Sequence, residues 1–213
     1  MSSSVATKLA RVFKVKVPEK AAPYCLKLWE EAPFHFTVSK SRVSKLGDFR
    51  FRSDQKVQTI TINHNLNPYQ FLMTYIHEVA HHRAFSEYGT RIKPHGPEWK
   101  RTFKKLMYPV LTHEVFPRDL LIPLKRHMAN PKASSYADFW LNREMRKYDP
   151  GWADVKAIYL SEISIGEAFE LKGRKFKKIQ PRRTRVLCEE IASGKHYLIS
   201  GNAEIRLSSS EER

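Results

Sequence analysis

The sequence predicts an α+β protein, a small sheet covered by helices over residues 1–150 followed by a small β module over residues 151–213. Three observations carry this. Capped helical patterns alternate with short strand patterns through the first two thirds of the chain. The turn signal Asp149-Pro150-Gly151 interrupts them, and beyond it strand patterns punctuated by glycine dominate.

The first eighteen residues hold Lys8, Arg11, Lys14 and Lys16 and no acid; an organelle transit peptide has that charge pattern, but an ordinary N-terminal element is the simpler reading. A helix is expected from Glu19 to Ala32, then strands near Phe34–Val38, Gly47–Arg52 and Val57–Ile62, the last strictly alternating. Asn67-Pro68 reads as an N-cap and first helical residue, and Gly89 as the residue past the end, which gives a helix over 68–88. Along it Leu72, Tyr75, Ile76, Val79 and Ala80 form one apolar stripe. Pro97 starts a second helix running to about Val110, with Trp99 and Phe103 as core residues and Trp99 beside any site formed there. Two further helical patterns cover Arg118–Met128 and Tyr136–Lys147. In the C-terminal module, Ala168–Leu171, Arg185–Cys188, Tyr197–Ile199 and Ala203–Leu207 read as strands separated by Gly173, Gly194 and Gly201. A ribbon-like sheet and an unrelated small β-barrel both fit them, and no internal repeat is visible.

With 213 residues and 41% hydrophobic content the chain can bury one main core and a small appended one. Cys25 and Cys188 give no disulfide framework, no apolar run reaches membrane-span length and no secretory h-region is present, so a cytoplasmic location is expected, nucleoid-associated in a bacterium.

The chemistry is concentrated in His77-Glu78-Val79-Ala80-His81. Four apart on a helix, the two imidazoles can reach one metal ion, and Glu78, turned about 100° away, can approach a water without ligating the metal. A chain with this many His and Glu contains HExxH by chance in roughly 3% of cases, so the motif needs support. The caps and the separate apolar stripe supply some. A catalytic zinc site also needs a third protein ligand and an open position. Ala84 and Glu87 stand where a metzincin has Gly and His. His95, in Pro94-His95-Gly96-Pro97-Glu98-Trp99, is the better candidate at the cap of the second helix; Glu98 competes as a carboxylate, but also fits the ordinary role of an acidic first-turn residue. His82 reads more simply as a packed or exposed side chain than as a tuner of Glu78, Tyr88 as a cleft-wall residue at most, and His64 and His113 have no motif around them.

The net charge of +16 points to a polyanion. Between Lys172 and Arg185 stand eight basic residues, Lys172, Arg174, Lys175, Lys177, Lys178, Arg182, Arg183 and Arg185, and no acidic one. The run suits phosphate neutralisation, with Phe176 available to stack on a base, although a solvated basic loop between strands has the same appearance. No motif for sequence-specific base reading is present, so single- or double-stranded DNA would be bound without sequence preference.

Taken together, Lys45-Leu46-Gly47-Asp48-Phe49-Arg50, Ile60-Thr61-Ile62-Asn63 with Leu66, Ile76–His81 and His95–Trp99 resemble the SprT-like family, which includes the Spartan-type proteases that degrade proteins crosslinked to DNA. The resemblance covers roughly residues 20–110. It implies a zincin-like domain with one Zn²⁺ on His77, His81 and His95, Glu78 as catalytic base, and substrates that are proteins held on DNA. Many members carry a C-terminal zinc ribbon with paired CxxC motifs; with only Cys25 and Cys188 here, a second, structural zinc is not expected. Two function classes follow: a zinc peptidase that a basic surface brings to DNA, or a nucleic-acid-binding scaffold that keeps the fold without relevant proteolysis.

Overall fold

A computed structural model of the chain describes residues 3–42, 44–132, 138–151 and 158–207 and divides into two compact units, Met1–Pro150 and Gly151–Arg213.

The first unit opens with helix α1 (Ser3–Lys16), which places Leu9 and Phe13 in the core as an ordinary structural element. The next expected helix is split into a 3₁₀ turn, Glu19–Ala21, and helix α2 (Ala22–Glu31). Pro23 is the cause: it has no N–H to return to the Glu19 carbonyl, so the α-helix can only start afresh around it. Strands β1 (His35–Ser39), β2 (Gly47–Arg50) and β3 (Thr59–Asn63) form a sheet of order β1-β3-β2, with β1 parallel and β2 antiparallel to the central β3. Strand β3 starts two residues later than the alternation from Val57 indicates. Gln58 is diverted: its Oε1 accepts from the Arg52 N–H at 2.7 Å, and its Nε2 donates to the carbonyls of Arg52 at 3.1 Å and Gln55 at 2.7 Å. The same clamp ends β2 at Arg50 rather than Arg52.

Helix α3 spans Pro68–Tyr88 between the caps read from the sequence. Asn67 Oδ1 accepts from the Gln70 N–H, and Gly89, at φ +80°, returns its N–H to Phe85. Asn67 also donates through Nδ2 to the Met145 carbonyl and to Asp149 Oδ1, so one cap fastens the start of α3 to the end of the unit. Leu72, Tyr75, Ile76, Val79 and Ala80 are fully buried, as the stripe requires. The other side is not a solvent face, however, because Thr74, Glu78, His81 and His82 are buried too. A helix enclosed on both sides can hold ionisable groups only if they are neutral, paired or bound to a ligand.

Helix α4 (Pro97–Met107) stops short of Val110, where Pro109 turns the chain into a 3₁₀ segment, Tyr108–Val110. Helices α5 (Arg118–Ala129) and α6 (Phe139–Arg146) follow, with Asp138 capping α6 through the Leu141 N–H. The start read at Tyr136 lies outside the described residues.

The second unit contains strands β4 (Ile158–Tyr159), β5 (Ala168–Leu171), β6 (Arg174–Pro181), β7 (Arg185–Glu190), β8 (His196–Ser200) and β9 (Glu204–Leu207), in the order β4-β9-β5-β6-β7-β8. Three strands separate β9 from β8, about 19 Å across a flat sheet, yet only residues 201–203 join them, a reach of about 14 Å from Ser200 to Glu204. The sheet therefore curls. Its inner side encloses Leu160, Ile163, Phe169, Phe176, Val186, Cys188 and Ile205. No pairing of β4 with β8 closes it into a barrel among the described residues.

Candidate metal centre

The metal-competent group of the described residues is His77, His81 and His95. Helix α3 supplies the first two from successive turns. The third comes from the turn before α4, closed by a hydrogen bond from the Gly96 N–H to the Lys93 carbonyl at 2.9 Å. Pro94 occupies the second position of that turn and His95 the third, where its φ is +59°. Glycine or asparagine is the usual occupant there, and another side chain costs about 1 kcal/mol or more. Holding His95 in that conformation makes sense if its ring is what the fold requires.

The three Nε2 atoms form a triangle with sides of 3.1 Å (His77 to His95), 3.2 Å (His77 to His81) and 3.0 Å (His81 to His95). A tetrahedral zinc bound at about 2.0–2.1 Å spaces its nitrogens about 3.3 Å apart, so the triangle of His77, His81 and His95 would fit such an ion. Trp99 on α4 backs the cluster. Its ring centroid lies 4.6 Å from His77, 5.2 Å from His81 and 4.7 Å from His95, and Phe103 stacks behind it at 4.9 Å. Trp99 is thus both a core residue and the wall that orients all three imidazoles. Glu98 is not part of the group.

Burial holds all three rings in the neutral, ligating form. It lowers the protonation of His77 well below the usual imidazole range, with neighbouring His81 and His95 adding to the effect, brings His81 down to about 3, and lowers His95. The metal-free protein is accordingly expected to lose stability as pH falls from about 6.5 toward 3. In that window the unfolded chain takes up protons that the folded rings refuse. Glu78 acts in the opposite sense between its folded and ordinary values, but it is one carboxyl against three imidazoles. Urea midpoints of the chelated protein at pH 7 and pH 5 check this; a higher midpoint at pH 5 would contradict it.

Glu78 is 7% exposed, and burial raises its carboxyl to about 8 against the opposing hydrogen bond from the Phe49 N–H, a value suited to a general base near neutral pH. Strand β2 reaches it only because residue 47 is glycine: a Cβ there would lie 2.7 Å from Glu78 Oε1 and 2.7 Å from Thr74 Cγ2. Gly47→Ala is therefore expected to displace the carboxylate and cut any hydrolytic kcat by roughly 10- to 100-fold with zinc content unchanged, as measured by metal analysis beside steady-state kinetics. Gly47 stands inside the family-like run, but the sequence shows no reason for it until β2 and α3 are brought together.

These groups open onto a cleft of about 430 Å³ whose wall includes Leu46, Gly47–Phe49 of β2, Met73, Phe85 and His127. His82 is buried and packed against Phe34 at 5.5 Å and Phe49 at 5.7 Å. Tyr88 lies under the Arg101 guanidinium rather than on the cleft wall, and His64 and His113 are exposed outside it.

The middle of the basic run of the second unit, Arg174–Pro181, is a strand, and turns flank it. Lys172 and Gly173, both at positive φ, turn the chain into β6. Its alternation was hidden because one inward position carries a lysine. Lys178 is 4% exposed, and its Nζ donates to the carbonyls of Leu160 at 3.0 Å, Ser161 at 3.3 Å and Ile163 at 2.6 Å. That lysine is structural and cannot reach a phosphate. Phe176 is buried in the core and cannot stack on a base. Arg174 bonds Glu190 at 2.6 Å and lies over Phe176 and Tyr197. Lys175 and Lys177 stand opposite Glu170 and Glu189. Lys172, Arg182, Arg183 and Arg185 are exposed, the three arginines clustered at the β6–β7 turn, where the Arg182 N–H bonds the Arg185 carbonyl.

Three converging imidazoles with an adjacent buried carboxylate, on a helix against a small sheet, define a metalloprotease-like domain. The model of the SprT-like family matches residues 20–117, within this N-terminal unit; that family is generally linked to zinc metalloprotease activity. No curated protein and no solved structure matches the chain. Among the described residues, no helix is long and apolar enough to cross a membrane.

Proposed function

We propose that the chain is a zinc-dependent peptidase with a zincin-like N-terminal domain, acting on proteins associated with or crosslinked to DNA. The observation that carries the peptidase reading is the triangle of His77, His81 and His95 nitrogens with Glu78 beside it. A zinc ion held there supplies a Lewis acid for the carbonyl and lowers the pKa of water. Glu78 accepts the proton of the attacking water and passes it to the nitrogen that leaves as the peptide C–N bond breaks. A polypeptide substrate suits the cleft because β2 pairs with β3 on one edge only, and the segment along the cleft can receive an extended chain by strand addition. The exposed arginine turn of the second unit supports binding to nucleic acid, which would confine cleavage to proteins held on it.

The test is the purified full chain with a protein substrate, with and without DNA. One zinc per chain is expected, cleavage should stop on chelation and return with zinc, and DNA should stimulate it. Cleavage that survives chelation, or its absence from zinc-loaded protein with DNA present, would refute the peptidase. DNA binding by a zinc-loaded but inert chain would favour the scaffold alternative.

A further inference from the structure

His127, on α5, is the least expected member of the cleft wall. It is 3% exposed, lies close enough to act electrostatically on His77, and shares the wall with His77, Glu78 and His81. Its Nδ1 is 3.1 Å from Asp138 Oδ2, while its Nε2 is buried with no hydrogen-bond partner among the described residues. An unpaired buried nitrogen costs about 1–3 kcal/mol, and the contact of Nδ1 with Asp138 fixes the ring with this atom unpaired. With Nδ1–H donating to the carboxylate, Nε2 of the neutral ring is an acceptor. A reacting peptide brings two donors into the cleft, the attacking water and the scissile N–H. Glu78 already accepts from the first.

We propose that His127 accepts the N–H of the scissile peptide bond, with Asp138 as the positioning residue that fixes its tautomer. The inference rests on the peptidase reading and deepens it: the substrate is recognised as an amide on its leaving side. Hydrogen-bonding the nitrogen as its C–N bond lengthens holds it where it can take the proton that Glu78 delivers.

The experiment compares a phosphonamidate peptide analogue with its phosphonate twin, in which the N–H is replaced by O, binding to zinc-loaded full-length protein by calorimetry. Wild type should prefer the N–H compound by on the order of 10-fold, His127→Leu should bind the two within about twofold, and His127→Gln, whose amide oxygen can still accept, should recover part of the preference. Matched amide and ester substrates should show the same split in kcat/KM, with ester hydrolysis little changed in His127→Leu. Zinc content and melting temperature show that each variant is folded and loaded, and His127→Asn, too short to reach, replaces the leucine variant if that one does not fold. A preference equal in wild type and variants, or absent from wild type, overturns the role of His127. The ligand pair tests that role whether or not hydrolysis is seen, whereas loss of hydrolysis in zinc-loaded wild type counts against the peptidase reading alone.

Discussion

Glu78→Gln is expected to lower peptide hydrolysis by roughly 10²- to 10⁴-fold, the range for loss of a general base, while one zinc per chain remains bound. Glutamine has the same reach and the same shape, so it fits the space that Gly47 leaves, and its Oε1 can keep the hydrogen bond from the Phe49 N–H. What it lacks is a site for the water's proton. The three imidazoles come from His77, His81 and the turn at His95, and none depends on residue 78 for its position. The loss should fall on kcat with KM little changed, because the group acts in the transition state rather than in holding the chain. Folding should not suffer either. Burial disfavours the Glu78 carboxylate strongly enough to raise its pKa to about 8, so a neutral amide relieves a penalty that grows as pH rises above the ordinary carboxylate range and is complete above that value. A variant that lost zinc, or kept wild-type rates, would remove Glu78 from the proposed mechanism.

How much of this was legible in the sequence depended on whether the signal was local. The bounds of α3 were, because Asn67, Pro68 and Gly89 act on the backbone beside them. The two-residue shift of β3 was not, since it follows from Gln58 bonding back to Arg52 and Gln55, a choice made only when the loop closes. His77, His81 and Glu78 were visible as a helical spacing, and His95 as the best imidazole within reach. The roles of Gly47 and His127 could not be seen, because one comes from the approach of two elements and the other from a ring on α5 held by Asp138. In the second unit the strand β6 was concealed by its own chemistry. Alternation of apolar residues marks a half-buried strand, and Lys178 breaks that code by filling a core position with an ammonium group paired to three carbonyls.

The same lysine divides the basic run into residues that can and cannot bind a polyanion, and sets the second large expected effect. Replacing Arg182, Arg183 and Arg185 together by glutamine should weaken binding to non-specific DNA by on the order of 100-fold near 0.15 M salt and reduce the salt slope by up to about 2.7, since each phosphate contact on duplex contributes about 0.9 to that slope. Titrations of full-length protein against duplex and single-stranded oligonucleotides at several salt concentrations read both quantities. Lys175 and Lys177 should matter less despite their exposure, because Glu170 and Glu189 face them across the sheet and already oppose their field. Lys178→Met should leave the salt slope unchanged while altering stability, as it takes three carbonyls' partner from the core. A uniform loss across all these variants would mean that DNA senses only net charge. If the triple arginine variant bound as wild type does, the contact would have to lie outside the β6–β7 turn. The predicted inequality therefore tests placement rather than charge: eight basic residues stand in one run, and the fold leaves three of them together, unopposed, at a single turn.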